Sequence, residues 1–274
     1  MPGDRVEWIA DIRSREGIEM GYAEENRQAA ILNFLRQEKK ASVADLSQMF
    51  EASEATIRRD LTKLENKGHL VKTYGGALLS TSTQFEFSYN ERLLKNVREK
   101  KRIGALAARM VKSGLSIFLD SGTTALQIAM NLKHLQELTV ITNAVPIVQE
   151  LAASAGIRLY LLGGCYRPKS QDLVGPILVK NLAQFSVDIA FLSVDGFHVQ
   201  HGLSASDLSE AEVVQAALKV SKRSVVVADH SKADKRAFAW ICPFDDIDLL
   251  ISDSDLDRRI VDELQQQNIQ VDLA

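Results

Sequence analysis

Cysteine is scarce in this chain, with only Cys165 and Cys242 among its 274 residues. They stand far apart, outside any Cys-x-x-Cys pattern or histidine-rich context. Neither a disulfide framework nor a structural zinc site is therefore expected, and a reducing cytosol is favoured. No uninterrupted apolar run reaches the roughly 18 residues that a membrane helix requires. The first residues mix charges with Trp8 and Ile9 and lack the pattern of a signal peptide. The expectation is a cytoplasmic protein with no membrane partner. A strong charge is missing too: the formal net charge of −3 excludes a wholly basic nucleic-acid coat protein, although a local basic face fits inside a neutral total. No Gly-x-Gly-x-x-Gly follows a strand, which removes the main support for a dinucleotide-binding redox sensor. Long-period repeats and low-complexity tracts are absent as well.

What is present is ordinary for a folded protein, with 46% apolar and 25% charged residues. The length suits one small and one large domain. Residues 1–22 read as an N-terminal extension. Met20 offers an alternative start of translation, and the plainer alternative is a partly helical or frayed segment. Over residues 24–38, Ala30, Ile31, Phe34 and Leu35 recur at helical spacing. Ser42, with Asp45 three positions on, caps a second helix whose buried stripe is Val43, Leu46 and Phe50. Glu51 and Ala52 form a turn, Ser53 caps a third helix to about Lys67, and Gly68 ends it. Strand-like residues 70–74 and 77–79 flank Gly75-Gly76. Three helices and a hairpin over 23–79 make the plan of a winged helix-turn-helix. Residues 80–91 are polar and read as a linker.

From about Arg92 the pattern changes to α/β. A long helix is expected over 93–111, followed by strands at 115–119, 138–142, 157–162, 187–194, 224–228, 247–251 and 268–273. Helices are expected between them at 125–133, 145–153, 176–184, 208–220 and 255–267. The alternation implies βαβ units and a mainly parallel, Rossmann-like sheet over 92–274, and runs such as Val225-Val226-Val227 suit strands buried on both faces.

In the third helix Ile57, Leu61 and Leu64 share the core-facing stripe, leaving Ala55, Thr56, Arg58, Arg59, Thr62 and Lys63 towards solvent. A recognition helix offers its first turns to base edges, so Thr56, Arg58 and Arg59 are placed near the bases. Lys63 and Lys72 are placed at phosphates. Ser53, Ala55, Thr62 and Tyr74 complete the DNA-facing set. From Ala55 to Leu79 five Arg or Lys oppose two Asp or Glu. The same residues also suit a plain solvated face or a protein-binding winged helix.

In the larger region Asp120-Ser-Gly-Thr-Thr124 joins a buried strand to a helix. Gly122 permits close backbone approach, hydroxyls can bond oxygens, and a helix N-terminus favours an anion. A phosphate suits this turn, and so does a simple strand-to-helix cap. Thr142-Asn143, Gly163-Gly164, Asp195-Gly196 and Asp229-His-Ser-Lys232 follow other strands, and strand ends form the ligand crevice of an open α/β sheet.

Ala55-Thr-Ile-Arg-Arg-Asp-Leu61, Leu64-Glu65, Gly68 and Thr73-Tyr-Gly-Gly-Ala-Leu78 together resemble the DNA-binding signature of the DeoR family of sugar-metabolism repressors. The resemblance implies that Asp60 fixes the helix rather than touching bases. It continues through Asp120-Ser-Gly-Thr-Thr, Thr142-Asn143, Leu162-Gly-Gly164, Asp195-Gly196, Gly202, Glu210-Ala211 and Ala228-Asp-His-Ser-Lys232, and implies a sensor domain similar in fold to ribose-5-phosphate isomerase. By that resemblance Asp120, Ser121, Gly122, Thr123 and Thr124 hold the phosphate of a phosphorylated sugar or polyol. Asp195, Glu210 and Lys232 meet its hydroxyl-bearing end, with Asn143, Gly163 and Gly164 lining the site. Val214 and Ala233-Asp234 depart from the residues many relatives carry there, which points to an altered pocket or an unusual effector. The expected partners are double-stranded operator DNA, this effector and further copies of the chain as a dimer or tetramer. No cofactor or metal is expected. The competing expectation is a sugar-phosphate isomerase using Asp195, Glu210 and Lys232 as acid, base and electrostatic groups.

Overall fold

The computed structural model describes residues 24–38, 40–66, 69–79 and 87–274. The expectations for residues 1–22, for Gly68 and for 80–86 lie outside them. The chain divides into two compact units, Met1–Phe85 and Glu86–Ala274.

In the first unit, helices α1 (Glu24–Glu38), α2 (Val43–Phe50) and α3 (Glu54–Asn66) precede strands β2 (Leu70–Thr73) and β3 (Gly76–Leu79). A short strand β1 (Lys40–Ser42), not expected from the sequence, pairs antiparallel with β3, giving the order β1-β3-β2. Ser42 caps α2 by accepting from the Asp45 amide at 3.0 Å, and the left-handed Glu51 closes that helix. The apolar stripes meet in one core that includes Ile31, Leu35, Leu46, Ile57, Leu61 and Leu64. The hairpin turns at Tyr74-Gly75, and Gly76 already belongs to β3.

The second unit is built on a seven-stranded, wholly parallel sheet. Its strands are β4 (Ser116–Leu119), β5 (Leu138–Thr142), β6 (Ile157–Leu161), β9 (Ile189–Leu192), β12 (Ser224–Val227), β14 (Leu249–Ser252) and β15 (Gln270–Leu273). They lie in the order β15-β14-β12-β9-β4-β5-β6. Each central strand is apolar on both faces: Phe118 and Val226 enter one core, and Ile117, Leu119, Val225 and Val227 the other. Helices α6 (Thr123–Leu132), α7 (Val145–Leu151), α8 (Pro176–Leu182), α9 (Leu208–Val220) and α10 (Arg258–Gln266) fill the expected intervals. This sheet is the α/β architecture expected.

Three features depart from the expectations. The long helix is two helices, α4 (Tyr89–Leu94) and α5 (Val97–Ala108). The break falls at Asn96, whose φ of 51° is left-handed, because its side chain is drawn to Asp229. Helix α4 also begins inside the stretch read as linker, at a Ser88–Glu91 capping box. Finally, an antiparallel hairpin, β7 (Cys165–Arg167) with β8 (Asp172–Val174), and a small antiparallel sheet β10-β11-β13 (Gly196–His198, Gly202–Ala205, Ala239–Cys242) are additions. Their strands are three or four residues long, and most mix polar residues or glycine with apolar ones. Among the described residues no helix is long and apolar enough to cross a membrane.

Candidate functional site

In the first unit α3 presents one polar face. Ile57, Leu61 and Leu64 are buried, while Ala55, Arg58, Arg59 and Lys63 are exposed and Thr56 and Thr62 half-buried. At its start the Ser53 hydroxyl accepts from the Thr56 amide (3.2 Å) and bonds the Thr56 hydroxyl (2.9 Å). Asp60 faces inward and accepts from Arg27 Nε at 2.6 Å and Gln28 Nε2 at 3.1 Å, which ties α3 to α1. Arg58 pairs with Glu54 at 3.0 Å in an exposed i,i+4 contact. Such pairs contribute little and exchange readily for another anion. Lys72 lies along the protein, its ammonium on the Thr62 hydroxyl at 3.0 Å and near Glu65 at 3.4 Å, so it joins wing to helix. Tyr74 is fully exposed at the tip of the hairpin.

In the second unit the order of the parallel strands reverses between β4 and β9. The chain runs outwards from β4 through β5 and β6, then returns to β9 on the other side of β4. Loops leaving such a pair diverge and open a crevice at the strand ends. Asp120 leaves β4 there, buried, and accepts from the Ser193 amide (3.0 Å) and the Ser121 amide (2.7 Å). Burial pushes its carboxyl up to about 7 against those two hydrogen bonds, with Asp172 adding to the rise and Arg92 opposing it. Gly122 takes a φ of +140°, where an added Cβ would sit 2.7 Å from the Ser193 hydroxyl. Helix α6 starts at this residue with no side-chain cap, so its first amides are held by no side chain of their own turn.

Asp195, after β9, pairs with Lys232 at 3.1 Å and lies 3.9 Å from Arg92. Its other oxygen accepts from the Ser206 amide at 2.9 Å. Burial alone would raise this carboxyl. Lys232, Arg92 and the Ser206 contacts outweigh it and hold the group well below the usual carboxylate range. Glu210, at the start of α9, meets Arg167, which also grips buried Asp172 through two hydrogen bonds of 2.9 and 3.0 Å. Asp172 in turn accepts from the Ser121 hydroxyl at 2.9 Å. Ser121, Asp172, Arg167 and Glu210 are thus one chain of contacts.

The other expected residues sit differently. Asn143 is buried, holding Leu173 of β8 through its side-chain amide (3.1 Å) and its own carbonyl (2.9 Å). Gly163 and Gly164 are exposed beyond edge strand β6, and a Cβ on Gly164 would sit 2.6 Å from the Val174 carbonyl. Close packing of the hairpin accounts for Gly164. Val214 lies in the core, and Asp234 pairs with Arg259 at 2.5 Å on an exposed face. Sequence reasoning missed Arg92, Lys100, Arg167 and Asp172. Arg92, Asn96 and Lys100 do form a four-residue repeat that a polar-face search would have found. Arg167 and Asp172 carry no such signal.

A small winged helix-turn-helix unit followed by an α/β unit with polar side chains at its switch point is the plan of a DNA-binding regulator with a second, larger domain. Comparison narrows the class. Residues 27–83 match the DeoR-like helix-turn-helix domain and residues 95–254 the DeoR C terminal sensor domain. The chain is 37% identical over 245 residues, 89% of its length and 95% of the relative's, to the uncharacterized HTH-type transcriptional regulator YulB of Bacillus subtilis. It is 36% identical over 231 residues, 84% of its length and 90% of the relative's, to the transcriptional repressor AccR of Agrobacterium fabrum. Among solved structures, ribose 5-phosphate isomerase A from Methanocaldococcus jannaschii aligns at 21% identity and a TM-score of 0.38, covering 52% of this chain and 56% of that one. The fold assignment rests on the sheet itself. The chain belongs to the DeoR family. It is a transcriptional regulator and not an enzyme, so the isomerase alternative falls.

Proposed function

We propose that the chain is a repressor that holds operator DNA through α3 and the wing and lets go when a phosphorylated sugar or polyol fills the crevice. The observation that carries the effector half is the uncapped start of α6 at Gly122, set at the switch point between Asp120 and Ser193. Amides at a helix N-terminus bind phosphate through both their hydrogens and the helix dipole. The Thr123 hydroxyl, only loosely held by the Arg92 carbonyl at 3.5 Å, adds a donor beside them, and Asp195, Lys232 and Glu210 offer hydrogen-bonding groups for the hydroxyl-bearing end. On the DNA side, Arg58 and Arg59 lead the exposed face of α3, where a guanidinium can meet guanine or phosphate. In this reading two or more copies present their heads to operator half-sites, which multiplies the modest affinity of one head.

The test uses the full chain and an operator selected from random-sequence duplexes, followed by fluorescence anisotropy. Arg58→Ala and Arg59→Ala should each weaken binding by about 1–3 kcal/mol if they read bases, and a panel of pentose, hexose and hexitol phosphates should contain at least one that releases the wild type. Operator binding that no member shifts would remove the phosphorylated effector, and a failure to select any duplex at low salt would remove the DNA-binding role.

A further inference from the structure

Strand β6 ends one side of the parallel sheet, bonded to β5 and with no strand beyond it among the described residues. Its register shows which backbone groups are spare. The Leu138 amide donates to the Gly156 carbonyl at 3.2 Å, and the Leu162 amide to the Thr142 carbonyl at 2.9 Å. In a parallel ladder every second residue bonds the same neighbour, so Arg158 and Tyr160 complete the bonds to β5. Ile157, Leu159 and Leu161 therefore turn their N–H and C=O groups outward. The Ile157 amide is taken by the Ser154 carbonyl at 3.0 Å. Among the described residues nothing meets the Ile157 carbonyl or the amides and carbonyls of Leu159 and Leu161.

An open edge is a template for further pairing, and proteins blunt such edges with charge, proline or a covering segment. This one leaves Tyr160 40% and Leu161 45% exposed. Its single charge, Arg158, shares a face with Tyr160 two residues on. We infer that β6 pairs with β6 of a second copy, antiparallel about a two-fold axis at Leu159, so that the two parallel sheets run on as one. The spare groups set that register. Leu159 and its counterpart exchange two hydrogen bonds, each Leu161 amide reaches the other copy's Ile157 carbonyl, and the Ile157 amide, held in its own turn, ends the ladder. The side chains agree with it. On one face Ile157 meets the partner's Leu161. On the other Arg158 lies over the partner's Tyr160, a cation on a ring already packed edge-on against Phe185 at 5.4 Å. Beyond the strand Gly156 falls opposite Leu162 and Ala155 opposite Gly163, so each flanking pair has a small member. The other edge strand, β15, carries Asp272 with no cation or ring in the strand to meet it. The pairing would bring together the two heads of the proposed function, but it stands on the edge geometry and is tested without DNA.

The experiment uses the full chain in a Cys165→Ser background, each variant checked for a native thermal transition. Sedimentation velocity should show a dimer or an assembly of dimers. Leu161→Glu, at a position half exposed in the single copy, should weaken that dimer about tenfold or more, because pairing would bury an uncompensated carboxylate against Ile157. Arg158→Cys and Tyr160→Cys, coexpressed on differently tagged copies and oxidised, should give the mixed disulfide in large excess over either symmetric one. Residues directly opposite lie within disulfide reach, whereas like positions lie on diagonals of about 7–8 Å. A monomeric wild type would overturn the pairing and leave the edge to a strand of another protein. A dimer that Leu161→Glu leaves intact, or symmetric disulfides as abundant as the mixed one, would overturn it too. Dispersed Leu161→Glu that still binds operator as the wild type does would keep the edge pairing and remove the two-headed reading.

Discussion

Asp120 and Lys100 are buried ionisable groups beside the same crevice, and their burial tilts the pH dependence of stability in opposite directions. The Asp120 carboxyl is raised from 3.8 to about 7, mainly by desolvation. Between those values the folded state holds a proton that the unfolded state has lost, so the stability this group contributes is present at low pH and falls as pH climbs to about 7. Lys100 is lowered from 10.5 to about 8, again mainly by desolvation and despite the attraction of Asp229. There the folded state loses its proton first, so this group's penalty is present below pH 8 and fades from 8 to 10.5. Urea unfolding of the full chain, followed in the second unit through Trp240, should therefore show a lower midpoint at pH 7.5 than at pH 5. Asp120→Asn should shrink that difference, and an unchanged difference would show that Asp120 does not titrate in this range. Asp195, half-buried, contributes no slope above pH 5, because Lys232 and Arg92 keep it ionised in the folded state.

At the scale of elements, the wing shows two neighbouring glycines present for different reasons. Gly75 holds a φ of +90° in open space, whereas Gly76 has an ordinary φ but sits where a Cβ would lie 2.2 Å from the Ala41 carbonyl of β1. Gly75→Ala meets only the left-handed backbone penalty, roughly 1 kcal/mol. Gly76→Ala must push β1 off β3, a backbone overpacking that costs about 3 kcal/mol. Hydrogen exchange over residues 40–79 should show the second variant opening far more often than the first, and equal protection would mean that β1 does not pack as described. Helices were legible in the chain because each is long enough to repeat its apolar spacing, as residues 208–220 do for α9, and the core strands because they are near-continuous apolar runs such as Val225-Val226-Val227. The α4–α5 break was not, because a left-handed Asn96 is stabilised by Asp229, a partner 133 residues away. Strands β7, β8, β10 and β11 mix polar residues or glycine with apolar ones and so show no such run.

For the whole molecule, the proposed function makes effector and operator two ligands of one chain, and thermodynamic linkage constrains how they interact. If an effector lowers operator affinity by some factor, saturating operator must weaken effector binding by the same factor. Titrating the effector by calorimetry with and without operator duplex should return the reciprocal ratio. Operator-saturated chain that takes up no effector at any concentration, a limit that a finite coupling factor does not reach, would mean that the ligand competes on the DNA-facing surface instead of acting from the crevice.

The amino-acid order alone determined the winged head, the parallel sheet, the stripe that buries Ile57, Leu61 and Leu64, and the polar residues at the strand ends. Those features follow from local periodicity and turn chemistry, which act over a few residues. Which of the strand-end groups meet was decided only by the folded sheet. The folded sheet brings the Ser193 amide to Asp120, Lys232 to Asp195 and Arg167 to Glu210, pairs separated by dozens of residues, and neither a hydrogen bond nor a charge has a period along a chain from which its partner can be read.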